Sequence, residues 1–171
     1  MPKTAIIAFV TILITGCSTY EGIKQDLGLA ASEGSTRGKW TPAEEQSYAK
    51  FDQCIKSSET ELSAQYAFIG QVILNATTDP QATMKKTLTG RLSNSQKDAF
   101  KAMVGRESQC FRGWADELTN LNPQLAGAVR KFISNSETDA AELIGDKISI
   151  GEFNIRLDQH LIEFESSIVS K

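Results

Sequence analysis

The sequence predicts an all-α protein: a bundle of about four long helices and one short helix, preceded by a flexible N-terminal tether. Helix-start signals recur along the chain, each with a capping residue or a proline at the first helical position. Apolar residues follow each start at intervals of three, four or seven, and no convincing period-two alternation occurs. Short connections between the predicted helices favour antiparallel neighbours.

The bundle begins at the TPAE sequence of residues 41–44, in which the threonine caps a helix and the glutamate completes a capping box. Apolar residues over 48–73 form a single stripe, so we predict one long helix over residues 42–76. A second start at Asp79-Pro80 predicts a shorter helix that ends near Gly90.

Three further helices have recognisable starts. A capping box at residues 93–96 opens a helix that runs to about Asn120. Asn122-Pro123 begins the next helix, which we expect to bend or break at residues 135–136. A capping box at residues 149–152 starts the last helix, which carries a regular apolar stripe.

Two further expectations concern side chains within these helices. Phe111 and Trp114 lie at the centre of an apolar stripe, so they are expected to be core residues rather than a ligand cage. Glycines inside helices cost about 0.5–1 kcal/mol relative to alanine. We expect them to permit close helix approach, the alternative being the floor of an exposed groove; they are Gly70, Gly105, Gly113 and Gly127.

The first seventeen residues, MPKTAIIAFVTILITGC, contain the clearest functional signal in the chain. Lys3 follows the free N-terminus, and the apolar run over 4–14 is well short of the roughly 20 residues that a membrane span needs. The run ends in Leu-Ile-Thr-Gly-Cys, which resembles the bacterial lipoprotein signal. The alternatives are an ordinary secretory signal with an incidental cysteine, or an uncleaved apolar helix.

The resemblance implies that residues 1–16 are a signal peptide and that Cys17 becomes a lipidated N-terminus carrying diacylglycerol and usually an N-acyl chain such as palmitate. Ile14, Thr15 and Gly16 would be the recognition positions. Several acyl chains give stable attachment, at about 0.8 kcal/mol per buried CH₂ group. Residues 17–40, rich in glycine, serine and threonine, would be a tether with a reach of roughly 25–29 Å, and residues 41–171 the helical domain.

Ser18 follows the lipidation position, and in enteric-type bacteria the absence of aspartate there implies transfer to the outer membrane. The sequence therefore predicts a lipid-anchored protein that faces the periplasm. The alternative location is the outer face of the cytoplasmic membrane.

Cys54 and Cys110 remain once Cys17 is assigned to lipidation. An even pair of cysteines in an exported protein predicts a disulfide bond. This bond would close a loop of about 57 residues, for which chain entropy gives roughly 4 kcal/mol of stabilisation. The alternative is two buried free thiols.

The distribution of charge is uneven, although the net charge of −3 argues against general nucleic-acid binding. Residues 85–112 contain seven basic and two acidic side chains, whereas residues 133–171 contain three basic and eight acidic ones. The basic residues are expected to face water. Alternatively, they form a candidate patch for anionic lipid, polysaccharide or an acidic partner, with the members Lys85, Lys86, Arg91, Lys97 and Lys101.

No catalytic or metal-binding pattern stands out. His160 is the single histidine, which excludes an H-E-x-x-H zinc motif, and it is expected at a surface or boundary position. We therefore predict no enzyme activity, no cofactor besides the lipid on Cys17, and no metal. The expected function is that of a binding or structural lipoprotein with an envelope protein partner. The alternatives are an inhibitor or exclusion lipoprotein directed at a lytic enzyme, phage or conjugating cell, and an enzyme that acts on cell wall or lipid.

Overall fold

The computed structural model describes residues 40–74 and 79–169, and all regular structure in these ranges is helical. The helices are α1 (Pro42–Glu61), α2 (Ser63–Ile69), α3 (Ala82–Lys86), α4 (Asn94–Leu121), α5 (Pro123–Ile144) and α6 (Ile150–Val169). The all-α prediction is confirmed. The signal peptide, the lipidation position and most of the tether lie outside the described residues. None of the helices within the described ranges is long and apolar enough to cross a membrane.

The predicted helix starts are present in the structure. At Thr41, Ser93 and Ser149 the hydroxyl accepts the amide of the third helical residue, whose side chain accepts the capping residue's N–H in return. Asn122 caps α5, and its amide group also donates to Glu44 Oε1 at 2.7 Å. The N-termini of α1 and α5 are therefore connected through side chains.

Three predictions about helix length were wrong. The long helix over 42–76 is interrupted at Leu62, whose backbone leaves the helical region (φ −109°, ψ 26°), so that α1 ends and α2 begins. The break allows α1 and α2 to contribute to different cores. The short helix α3 ends at Lys86, so it does not reach Gly90. Helix α5 runs without a break through residues 135–136, where no proline or glycine interrupts its backbone hydrogen bonds.

The long helices pack in series as antiparallel neighbours. Helices α1 and α2 lie on α4, α4 lies on α5, and α5 lies on α6, while α3 packs on α6. Their direction follows from two contacts for each pair of helices, between which the residue number rises on one helix and falls on the other: Cys54–Cys110 with Lys50–Glu117, Arg112–Glu137 with Arg130–Asp116, and Lys131–Glu163 with Arg156–Asp139. Short connections predicted this arrangement for the helix pairs α4–α5 and α5–α6.

Two hydrophobic cores fill the bundle. The aromatic core includes a row of rings from all four long helices, with centroid separations of 4.7, 5.4 and 5.4 Å between successive members Phe51, Phe111, Phe132 and Phe164. Trp114 is buried here and stacks on Phe51, as expected for a core residue. The second core lies at the other end and includes Ile69, Phe100, Met103, Leu143 and Phe153.

A buried polar cluster attaches the segment around α3 to α6. The Lys85 ammonium group donates to Asp79 Oδ2 and to the Gly70 carbonyl, both at 2.6 Å, and the lysine side chain is only 2% exposed. Asn154 of α6 accepts the Leu74 amide at 2.8 Å and donates to two carbonyls, those of Val72 and Lys85. Each of these buried groups has partners, as a low-dielectric interior requires.

Glycine enables close approach at a different position from those expected. A methyl group added at Gly105, Gly113 or Gly127 would meet nothing within 4 Å in the described structure, so the close-approach interpretation was wrong for these three. At Gly151 the methyl would lie 2.6 Å from the carbonyl oxygens of Lys86 and Leu88. The Gly151 amide donates to that Leu88 carbonyl at 2.7 Å. Gly151 is therefore where α6 contacts the backbone that follows α3.

We expect Gly151→Ala to destabilise the protein by about 1–3 kcal/mol, because backbone atoms cannot rotate away from the added methyl as a side chain could. The matched control is Gly113→Ala in α4, where the space is open and alanine should stabilise by about 0.5–1 kcal/mol. Urea unfolding of both variants measures the difference. Equal effects of the two substitutions would contradict the close contact at Gly151.

Candidate functional site

A disulfide bond joins α1 to α4 near the middle of the bundle. Cys54 and Cys110 are bonded with their Cα atoms 5.7 Å apart, so the predicted pairing is present. The Ser58 hydroxyl, one turn along α1, donates to the Cys54 carbonyl at 2.9 Å and lies 3.6 Å from the Cys110 sulfur. We call this region, with Tyr66 and Glu107 beside it, the disulfide joint.

Tyr66 and Glu107 extend the disulfide joint toward α2. Glu107 precedes Cys110 by three residues and so lies on a neighbouring part of the same face of α4. The Tyr66 hydroxyl donates to Glu107 Oε1 at 2.7 Å. This is a direct polar contact between α2 and α4, and it connects two residues that are 41 positions apart in the chain.

The surroundings of the disulfide joint raise the pKa of Glu107, of Tyr66 and of the neighbouring Glu59. Burial raises the pKa of Glu107 to about 6; the hydrogen bond from Tyr66 opposes this rise, and the charge of Glu59 adds to it. Burial also raises the pKa of Glu59, an effect that Lys56 opposes and Asp52 reinforces. Burial and the neighbouring Glu107 carboxylate raise the pKa of Tyr66, so its hydroxyl remains protonated at neutral pH.

Chemically, the distinctive group of the disulfide joint is the Glu107 carboxyl group, whose pKa burial raises to about 6. Glu107 was not predicted as a site residue, although one signal was present in the sequence: it lies three residues from a cysteine on a buried stripe. In the described part of the chain, no group of three or more histidine, cysteine, aspartate or glutamate side chains is placed to hold a metal ion.

His160 belongs to a polar network between α5 and α6. Its Nε2 atom lies 2.8 Å from Asp139 Oδ2, and its side chain is 17% exposed. Arg156 donates to the same aspartate at 2.9 Å and to Glu142 at 2.8 Å. The other ring nitrogen, Nδ1, has no hydrogen-bond partner among the described residues. The histidine therefore connects two helices at the boundary of the bundle.

The candidate basic patch is not a continuous positive surface. The assignment of Lys85 to it was wrong, because this side chain is buried against Asp79. Three other members lie beside acids contributed by several parts of the chain: Lys86 by Asp158, Lys97 by Asp146, and Lys101 by Asp98. Arg91 is exposed, and its charge contributes to a lowered pKa of Glu152, whose largest cause is the hydrogen bond from the Ser149 backbone. The folded chain thus balances much of the charge that is separated along the sequence.

The fold and the disulfide joint define a class of protein: an all-α bundle with a disulfide bond between two of its long helices. Comparison with protein-family models, with curated proteins and with solved structures finds no match to this chain. Its function is therefore inferred from its own residues.

Proposed function

We propose that this protein is a membrane-anchored lipoprotein of the bacterial envelope, whose helical domain acts without catalysis as a protein-interaction or structural module. The anchor is the lipid on Cys17, which the residues Ile14, Thr15 and Gly16 direct to lipoprotein processing. In this proposal, residues 17–40 are the tether that connects the anchor to the helical domain.

The observation that carries this proposal is the Cys54–Cys110 disulfide bond. Structural disulfides persist in oxidising compartments and are rare in the cytosol. The two cysteines lie far from the N-terminal signal in the sequence, so they support export independently of it. Both features agree on a protein that crosses the cytoplasmic membrane and works outside it.

The outer face of α6 supports an interaction role. Ile155 and Ile162 are 42% and 51% exposed, and their spacing of seven places them on the same face of the helix. Gln159 and Ser166, which are also exposed, lie near them on this face and carry no charge. Large apolar side chains aligned on one exposed face provide contact area for a partner.

Photo-crosslinking in living cells tests the proposal. A photoreactive residue replaces Ile162 in the full-length chain, and the same replacement at Gln53, exposed on α1, is the matched control. Both are expressed with Cys17 and with Cys17→Ser, and an alkyne-labelled fatty acid reports lipidation. We expect Cys17 chains to be labelled and Ile162 to capture one dominant envelope protein, with capture lost in Cys17→Ser.

Two results would contradict the proposal. Absence of label on the Cys17 chain would remove the anchor. Labelling of Cys17 without specific capture from either position, with Cys17→Ser behaving identically, would remove the interaction role.

A further inference from the structure

We propose that the side of the aromatic core that lies between α1 and α6 is the docking site of residues 20–31 of the same chain. The order in which the helices pack and the spacing of apolar residues before Trp40 support this docking. It does not require the lipid on Cys17, although its consequence for the reach of the anchor rests on the proposed function.

The four long helices form a row that is not closed. Helix α4 lies between α1 and α5, and α5 lies between α4 and α6, but no comparable packing joins α1 to α6 within the described residues. Both end helices nevertheless contribute rings to the aromatic core, Phe51 from α1 and Phe164 from α6. The apolar stripes of helices must be buried against another element. An open row therefore leaves one side of this core for a further segment to cover.

The second core shows how the same gap is closed at the other end of the bundle. Ile69 at the end of α2 and Ile73 just after it pack with Phe153 of α6. The Leu74 amide donates to Asn154 of α6 at 2.8 Å. The chain between α2 and α4 thus connects the two sides of the row there. In the described part of the chain no such segment lies over the aromatic core, whose members come from the long helices and Trp40.

Trp40 places the start of the preceding chain at the aromatic core. Its ring stacks on Trp114 with a centroid separation of 6.5 Å and meets Tyr48 edge-on at 5.5 Å. Residues 32–39 can span at most about 29 Å, whereas Phe51 lies only about 14 Å along α1 from its first residue. Residues 20–31 can therefore reach the gap between α1 and α6.

Residues 20–31, with the sequence YEGIKQDLGLAA, have the pattern of a segment that packs on an apolar surface. At about 100° per residue, a helix over this range would place five side chains within about 100° of one another. These are Tyr20, Ile23, Leu27, Ala30 and Ala31. Leu29 would lie on the opposite side. Two glycines within twelve residues give little helical stability in isolation, so such a segment needs a surface to pack on.

Docking sets the distance between the anchor and the bundle. With residues 20–31 on the aromatic core, only Ser18 and Thr19 separate Cys17 from the docked segment. An undocked chain over residues 17–40 would have the longer reach of roughly 25–29 Å. The docked segment therefore holds the lipid next to the end of the bundle that contains the aromatic core.

Hydrogen exchange followed by mass spectrometry tests the docking, on protein purified from cells that express the full-length chain. After correction for intrinsic rates, we expect the amides of residues 23–31 to exchange at least about 10-fold more slowly than those of residues 32–39. Leu27→Asp places a charge on the apolar stripe and should abolish this protection. Leu29→Asp is the matched control, since it makes the same change on the opposite side and should retain the protection.

Two exchange results would overturn the docking. One is equal exchange of residues 23–31 and 32–39 in the native chain. The other is an equal response to Leu27→Asp and Leu29→Asp. Protection of the α5 amides, monitored in the same samples, shows that each variant has folded.

Photo-crosslinking identifies the surface on which the segment docks. A photoreactive residue replaces Leu27, and unlabelled protein is mixed with ¹⁵N-labelled protein before irradiation. We expect crosslinks to α1 or α6 in which both peptides carry the same isotope. Peptides of mixed isotope would show that a second copy occupies the site, and crosslinks absent or confined to other helices would place the segment elsewhere; either result overturns the proposal. Neither experiment depends on lipidation, so its failure is distinguishable from loss of the proposed anchor.

Discussion

Lys85→Met is expected to lower the free energy of unfolding by about 3–5 kcal/mol, because it removes the buried cation that opposes Asp79. The two side chains are 2% and 5% exposed, so water cannot replace the lost partner without a structural change. The Gly70 carbonyl loses its ammonium donor as well. Denaturant unfolding monitored by circular dichroism gives the loss directly.

The neighbouring Lys86→Met is the matched control. Lys86 also forms an ion pair, with Asp158 at 2.7 Å, but its side chain is 30% exposed, so its removal should cost less than about 1 kcal/mol. The double variant Asp79→Asn/Lys85→Met should recover part of the loss, since no charge is then left buried without its partner. Similar losses for the two single lysine variants would show that burial of Lys85 does not control stability.

Removal of the disulfide bond by Cys54→Ala/Cys110→Ala should destabilise the protein by about 4 kcal/mol. The bond closes a segment with a sequence separation of 56, which restricts the unfolded chain, and it lies where α1 packs on α4. Thermal or urea unfolding of the oxidised native chain and of the double variant measures the effect.

Reduction provides the internal control for this prediction. A reducing agent should bring the native chain close to the stability of the double variant and should leave the variant unchanged. A double variant as stable as the oxidised native chain would contradict both the contribution of the bond to stability and its value as evidence for export.

Most of the fold could be predicted from the sequence, because short sequence signals mark where the helices begin. A capping box is complete within four residues, so those at Thr41, Ser93 and Ser149 could be recognised without knowledge of the rest of the chain. The pairing of Cys54 with Cys110 could also be predicted, because the assignment of Cys17 to lipidation leaves two cysteines and therefore one combination. The break at Leu62 had no such signal, since neither proline nor glycine occurs there.

The candidate site could be predicted from the sequence only in part. Glu107 is one of many helical glutamates in the sequence. Burial raises its pKa, the charge of Glu59 on α1 adds to the rise, and the hydrogen bond from Tyr66 on α2 opposes it. Nothing in the local sequence distinguishes Lys85 from Lys86, yet one is buried and the other half-exposed. Successive residues of a helix point about 100° apart, so the two lysines lie in different environments. Which of them is buried depends on what packs against α3.

The sequence by itself determined the helical class, the helix starts, the one cysteine pairing and the resemblance to a lipoprotein signal, because these depend on short-range spacing or on residue counts. The tertiary structure determined which side chains are buried and which charged groups lie next to each other. Basic residues of 85–112 meet acids of the C-terminal segment at Lys86–Asp158, Lys97–Asp146 and Arg112–Glu137. Electrostatic and desolvation energies depend on distance in space, so a separation of charge along the chain does not persist once the helices pack.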